Sequence, residues 1–172
     1  MTEHSFYHLQ RQPLEAALAK LLERVLAAGQ RAVVRAASDE RVQNLNKLLW
    51  TYDPGSFLPH GARADGDATA HPVYLTCEDE NPNQAKVLVL VDGADPADTS
   101  GFERCLTLFD GTDPQALDDA RARWKRCRQG GAAVTYWQQS PEGRWQEKAA
   151  TGEPTRAQPE ALRDAADPSI TH

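Results

Sequence analysis

Eight residues, 121–128, carry the most concentrated chemistry in the sequence. They read Arg-Ala-Arg-Trp-Lys-Arg-Cys-Arg, so five of them are cationic, although the chain of 172 residues has a formal net charge of −6. A basic cluster on an acidic protein adds self-repulsion, which favours a local binding site for an anionic partner. General binding to nucleic acid needs many Lys and Arg contacts, and the acidic balance argues against it.

Helical spacing sorts this cluster into faces. One face, at positions i, i+3, i+4 and i+7, holds Arg121, Trp124, Lys125 and Arg128. Cations around an aromatic ring suit a peptide that bears Asp side chains, a terminal carboxylate and an apolar ring. The alternative is a solvated helix end whose cations favour the helix dipole, with the indole in the core. The residues by themselves leave both interpretations open.

His60 and Asp92 are the candidates for catalysis. Asp92 follows an apolar strand, where many α/β enzymes place catalytic groups, and His60 lies in a loop after Pro59. Asp92 is also typical of a turn before Gly93, and a loop imidazole bonds readily to backbone. Since no GxSxG motif or paired metal-ligand spacing accompanies them, structural roles are favoured. A small α/β enzyme that uses His60 and Asp92 is the alternative function.

The sequence lacks the loops that bind nucleotides. The first predicted strand leads into residues 10–13, Gln-Arg-Gln-Pro, where a dinucleotide-binding fingerprint needs glycines. The GxxxxGK[ST] loop is missing as well. Residues 78–80, Glu-Asp-Glu, are typical of a solvated loop rather than a cation site. We therefore expect no catalytic residue, no metal and no cofactor.

Cysteine usage and the absence of targeting signals indicate the cytoplasm. Cys77, Cys105 and Cys127 are far apart and without CxxC spacing, which is typical of reduced thiols. The N-terminus shows no signal peptide, and no apolar run approaches the ~20 residues of a membrane-spanning helix.

The hydrophobic pattern predicts an α/β domain with a largely parallel sheet. The uninterrupted branched residues of 86–91 fit a central parallel strand. The other predicted strands are residues 5–9, 31–36, 73–76, 105–109 and 132–138, and the predicted helices span residues 13–28, 39–50 and 114–128. Residues 61–70 are predicted to be a mobile loop. Residues 1–140 therefore form one domain, and residues 141–172, rich in Pro, Ala and Glu, form a mobile tail.

Four segments resemble the chi subunit of the bacterial DNA polymerase III holoenzyme, a clamp-loader accessory protein. They are Phe6-Tyr7-His8-Leu9, Leu48-Leu49-Trp50, Ser56-Phe57-Leu58-Pro59-His60 and Ala120-Arg121-Ala122-Arg123-Trp124-Lys125. Their order and spacing agree over residues 5–138, and the predicted tail lies outside the resemblance. The resemblance implies a three-layer, Rossmann-like fold without a nucleotide-binding loop.

The resemblance also implies a non-catalytic subunit of a DNA-directed DNA polymerase assembly. Such proteins bind the acidic, Phe-terminated C-terminal tail of single-stranded DNA-binding protein. Arg121 and Trp124 match positions that hold this tail, and Lys125 and Arg128 lie beside them. Leu117 stands where a lysine is expected, so Lys125 or Arg128 would have to supply that charge.

The second partner implied by the resemblance is the psi subunit of the clamp loader. Trp50 and Phe57 match its binding surface, with Leu58 and Pro59 as neighbours, and His60 is then structural. Without the resemblance, large aromatics beside a loop are also typical of lids on a core. We expect a replisome-associated monomer with no membrane contact and no strong direct binding to nucleic acid. Direct binding of single-stranded DNA by the basic helix is a third function, against which the net charge argues.

Overall fold

The computed structural model describes residues 2–10, 12–52, 58–96, 98–140, 142 and 144–151. Within these residues the chain forms eight strands and three α-helices. The strands are β1 (Glu3–Leu9), β2 (Ala32–Arg35), β3 (His60–Ala62), β4 (Val73–Thr76), β5 (Val87–Leu90), β6 (Arg104–Asp110), β7 (Val134–Gln139) and β8 (Trp145–Thr151). The helices are α1 (Leu14–Ala27), α2 (Asp39–Thr51) and α3 (Pro114–Gln129).

The strands make one sheet in the order β3-β4-β2-β5-β6-β1-β7-β8. Every pairing is parallel except that of β7 with β8. Strand β5 lies in the middle of the sheet and is buried along its whole length, as its run of branched residues predicts. The expected α/β fold with a largely parallel sheet is confirmed.

The helices cover both faces of the sheet and make it the middle of three layers. On one face, the apolar stripes of α1 and α2 pack with residues such as Tyr7, Leu106 and Trp137. On the other face, α3 packs on Phe6, Phe109 and Val134. Because successive side chains of a strand point to opposite faces, β1 serves both layers: Tyr7 supports one and Phe6 the other. None of the helices in the described part of the chain is long and apolar enough to cross a membrane.

The helix boundaries follow local capping chemistry. Ser38 accepts a hydrogen bond from the backbone N–H of Arg41 at the start of α2, at 3.2 Å. Asp113 does the same at the start of α3, where Pro114 occupies the first helical position. Helix α3 ends before Gly131, whose φ of 81° is a conformation that favours glycine.

Residues 61–70, predicted to be a mobile loop, contain defined structure. Strand β3 lies at the edge of the sheet, and short 3₁₀ turns follow at Arg63–Asp65 and Ala68–Ala70. The carboxylate of Asp65 holds this segment, since it accepts hydrogen bonds from the N–H of Ala62 at 2.9 Å and from the side chain of Asn46 at 2.7 Å. The polar sequence did not indicate a strand because the contacts that stabilise it come from α2.

Strand β8 occupies residues 145–151 of the predicted tail and extends the sheet beyond β7. The indole of Trp145 is buried and meets Tyr7 edge to face, with ring centroids 5.6 Å apart. The pattern offers a single large apolar residue to bury, which is too little to indicate a strand before its antiparallel partner is known. Residues 152–172 lie outside the described residues, so a tail over that range stays a prediction.

Candidate functional site

Helix α3 places its cations on two different sides. Ala116, Ala120 and Leu117 belong to the apolar layer between the helix and the sheet. The surroundings of the five cations of residues 121–128 separate them into two groups.

Two of the five cations are neutralised within the protein. Arg123 and Arg126 both donate to the carboxylate of Asp95, in the turn after β5. Arg123 is only 7% exposed and also lies 3.7 Å from the sulfur of Cys105. Asp95 thus joins α3 to the end of β5 and removes both guanidinium groups from the set that can bind a ligand. No local pattern in the sequence indicates this pairing, because Asp95 lies some thirty residues away in the chain.

Three cations remain available. Arg121, Lys125 and Arg128 are exposed and form no ion pair with any residue that the structure describes. They lie on the face of α3 that also carries Trp124, as their spacing predicts. An unpaired group of cations on a chain of net charge −6 creates a local positive potential.

Trp124 is partly buried beside these cations. Its ring meets Phe6 edge to face at a centroid distance of 5.8 Å and Tyr136 of β7 at 5.5 Å. The indole is therefore neither a core residue nor a free surface side chain. It forms an aromatic floor together with Tyr136, next to the positive face of α3.

His8 completes this floor and was not identified from the sequence. Its Nδ1 lies 2.9 Å from the hydroxyl of Tyr136, and its ring centroid is 5.1 Å from that of Phe109. Burial lowers the pKa of His8, Arg121 lowers it further, and Asp110 acts in the opposite direction. Burial also raises the pKa of Tyr136, against the effect of Arg121. Arg121 thus acts electrostatically on both members of the His8 and Tyr136 pair.

A second surface lies at the end of α2. Trp50 is 53% exposed, and among the described residues no other large apolar side chain is exposed. Its ring lies against that of His60, with centroids 4.5 Å apart. Of its predicted neighbours, Pro59 is half-buried, whereas Leu58 is only 2% exposed and belongs to the core. Phe57 lies outside the described residues.

His60 and Asp92 do not form a common site. The register places His60 level with the start of β5, while Asp92 follows its end, so the two lie at opposite ends of the sheet. The ring nitrogens of His60 face the carbonyl oxygens of Leu58 and Asn46, at 2.6 and 3.0 Å, and neither is turned to a substrate.

Asp92 has a structural role as well. It accepts a hydrogen bond from Nε of Arg41 at 2.9 Å, and Arg41 also donates to Glu15 of α1. This hydrogen bond lowers the pKa of Glu15. With a φ of 57°, Asp92 adopts the turn conformation that Asp tolerates better than most residues.

Comparisons with known proteins identify the family of this chain. A family described as "DNA polymerase III chi subunit, HolC" matches residues 1–135. The chain belongs to the DNA polymerase III chi subunit family. It is also 34% identical over 109 residues to the "Probable DNA polymerase III subunit chi" of Rickettsia prowazekii (strain Madrid E). That match covers 63% of this chain and 66% of the relative, just under two thirds of its length.

In this chi-family chain, a side chain occupies the position where related α/β folds bind phosphate. The side-chain oxygen of Gln139 accepts hydrogen bonds from the backbone N–H groups of Gln10 and Gln12, at 3.2 and 3.1 Å. Those amides, between β1 and α1, are the ones that a glycine-rich loop would offer to a phosphate. A buried amide side chain from β7 satisfies them here instead.

The cysteines of the chi-family chain show no sign of an activated thiol at Cys105 or Cys127, where burial raises the pKa. All three cysteines are free, and burial raises the pKa of the Cys105 thiol to about 11, which suppresses the thiolate form. Among the described residues, no group of three or more His, Cys, Asp or Glu side chains stands close enough to hold a metal ion.

Proposed function

We propose that this chain is a non-catalytic accessory subunit of a bacterial DNA polymerase III assembly that joins two partners in the cytoplasm. Its α3 surface (Arg121, Trp124, Lys125 and Arg128) binds the acidic C-terminal tail of single-stranded DNA-binding protein. Its α2 surface (Trp50 and Pro59) binds the psi subunit of the clamp loader, with Phe57, outside the described residues, as a further contact implied by the resemblance. The observation that carries the proposal is the group of three unpaired cations around a partly buried indole on an acidic chain.

The α3 surface suits an acidic peptide with an aromatic end. Exposed cations attract carboxylates, and Trp124 with Tyr136 offers edges and faces on which a ring can pack. A hydrogen bond between a guanidinium and a carboxylate contributes about 1.5–3 kcal/mol. Three cations are few for a site that binds nucleic acid through phosphates alone, which depends on many such contacts.

The departure at Leu117 has a structural consequence. Leu117 packs in the apolar layer beneath α3, so no cation stands one turn before Arg121. Lys125 and Arg128 lie one and two turns after Arg121 and are exposed. We propose that they supply the missing ionic contact from positions after Arg121.

The α2 surface suits a partner that buries an apolar side chain. Trp50 is exposed, aromatic and held against His60, features that are typical of residues that dominate binding energy at protein interfaces. Leu58 supports it from the core rather than contacting the partner. Because α2 and α3 cover opposite faces of the sheet, both partners can be bound at once.

Titration with a peptide tests the α3 assignment. A peptide that ends in several Asp residues followed by Ile-Pro-Phe should bind the full chain with low-micromolar affinity, which corresponds to about −8 kcal/mol. The affinity should fall between ~0.1 M and ~1 M NaCl, as the Debye length shortens from about 10 to about 3 Å. The same peptide without its terminal Phe should bind more weakly, because the aromatic floor is left empty.

Two controls make the titration specific. Arg126→Ala changes the charge of α3 by as much as Arg128→Ala, but Arg126 is already paired with Asp95, so only Arg128→Ala should weaken binding clearly. A single-stranded oligonucleotide should compete poorly. If no binding to the peptide is detected at low salt, the assignment of the tail is wrong, and tight binding of the oligonucleotide would favour direct contact with DNA.

A further inference from the structure

His8 is a buried polar side chain with an incomplete set of hydrogen bonds. It is 7% exposed, and the hydroxyl of Tyr136 is the hydrogen-bond partner that the structure shows for its ring, at Nδ1. No described residue is a partner of Nε2. A ring nitrogen of a largely buried histidine that has no protein partner is available for a hydrogen bond to a ligand.

The ring of His8 occupies space that a side chain at position 111 would fill. A Cβ built on Gly111 would stand 1.7 Å from Nε2 of His8. Gly111 directly follows β6, and the absence of a side chain there lets the imidazole lie beside the end of that strand. Nε2 therefore lies at the end of β6 that is nearest to the start of α3.

The aromatic contacts connect His8 to the α3 surface. Trp124 meets Tyr136, and Tyr136 meets His8 edge to face at a centroid distance of 6.1 Å. Arg121 acts electrostatically on both His8 and Tyr136. His8 is thus part of the same continuous surface as Arg121 and Trp124, although it comes from the first strand of the chain.

We infer that His8 is a further binding residue of the α3 surface, which donates from Nε2 to a carboxylate of the bound acidic peptide. The inference rests on the proposed binding of that peptide. Tyr136 acts as a positioning residue, because its hydroxyl bonds to Nδ1 and thereby favours the ring tautomer and orientation that leave Nε2–H towards the ligand.

The contact couples binding to a proton. Three charged or titratable groups face His8: Asp110 at the end of β6, Arg121 on α3 and Tyr136 on β7. In the free protein, burial and Arg121 favour the neutral ring. A bound carboxylate offsets the charge of Arg121 and favours the imidazolium, so the pKa of His8 is higher in the complex than in the free protein. Affinity therefore rises as the pH falls through the range between these two pKa values.

The experiment measures the affinity of the full chain for the Asp-rich peptide ending in Ile-Pro-Phe between pH ~5 and ~8, where histidine titrates. The peptide carboxylates stay ionised over this range, since Asp titrates near ~3.9. The wild-type affinity should rise towards low pH by up to about tenfold for each unit by which the pKa of His8 differs between the two states. His8→Gln should bind with an affinity that does not depend on pH, and Tyr136→Phe should reduce the dependence.

The matched control is His71→Gln, which removes a histidine that packs on Gly61, near β3, and should keep the dependence on pH. NMR titration of the His8 ring in the wild type, with and without peptide, provides a measurement that needs no variant. A pKa of His8 that does not rise on binding overturns the inference, as does an equal dependence on pH in His8→Gln. Absence of binding at every pH overturns the proposed function itself.

Discussion

The two candidate surfaces each combine a tryptophan with a histidine, and the histidines differ in their bonding. His60 faces two backbone carbonyl oxygens, so its ring is fixed by the fold and supports Trp50 from behind. His8 is held at Nδ1 by Tyr136, and its Nε2 has no partner among the described residues. The same residue type is therefore a structural support at one surface and an available donor at the other.

The surfaces also differ in charge. Arg121, Lys125 and Arg128 surround Trp124 without ion pairs in the described part of the chain, whereas the ring next to Trp50 is a buried histidine bonded to backbone. An acidic peptide should therefore select the α3 surface and a partner with an apolar pocket the α2 surface. Under the proposed function, the two surfaces would bind chemically different partners without competition.

The largest effects should come from one alanine substitution at each of the two surfaces. Arg121→Ala should weaken binding of the acidic peptide about tenfold or more, since it removes a charged hydrogen bond, and leave binding of the psi subunit unchanged. Trp50→Ala should weaken binding of the psi subunit by about 2 kcal/mol or more, as is typical for an aromatic anchor, and leave binding of the acidic peptide unchanged. Calorimetric titration of each variant with each partner measures this. A variant that weakens both interactions would show that the surfaces are not independent.

A smaller effect is expected on stability, where substitutions of the two histidines should lower the free energy of unfolding by different amounts. His60→Ala removes the ring that lies between the carbonyl oxygens of Leu58 and Asn46 and donates to one of them, and should lower the free energy of unfolding by about 1–3 kcal/mol. His8→Gln should lower the free energy of unfolding by less, because the amide can still form a hydrogen bond with Tyr136. Urea unfolding of the two variants gives both values. If His8→Gln is the more destabilising of the two, His8 is the structural residue and the comparison is wrong.

The smallest effect concerns the cations that Asp95 holds. Asp95→Asn should leave Arg126 unpaired and exposed, which adds a positive charge beside the α3 surface. An exposed ion pair is worth about 0.2–1 kcal/mol, so affinity for the acidic peptide should rise only two- to threefold and should lose this gain at high salt. Titration at two salt concentrations measures it. Weaker binding by Asp95→Asn would indicate that Asp95 orients α3 for the peptide.

Local signals predicted most of the elements. The stripe of α1, the cap at Ser38, Pro114 at the start of α3 and the branched run of β5 are each visible over a few residues. Strands β3 and β8 were not predicted, because β3 depends on α2 and β8 depends on β7 and Tyr7. Contacts between segments that are distant in the chain leave no periodic pattern in either segment.

The candidate site likewise combines features that the sequence predicts with features that only the tertiary structure decides. The spacing of Arg121, Trp124, Lys125 and Arg128 is a property of one helix, and the chain alone therefore predicts that they share a face. Asp95, after β5, decides which of the five cations are available, because it pairs with two of them. His8 of β1 and Tyr136 of β7 form the aromatic floor beside the others. His8 and Tyr136 come from separate strands and Asp95 from the turn after a third, so they meet α3 only when the sheet has formed. Helical periodicity acts over four residues, whereas charge neutralisation and aromatic contact act through space, so only the folded chain brings the binding surface together.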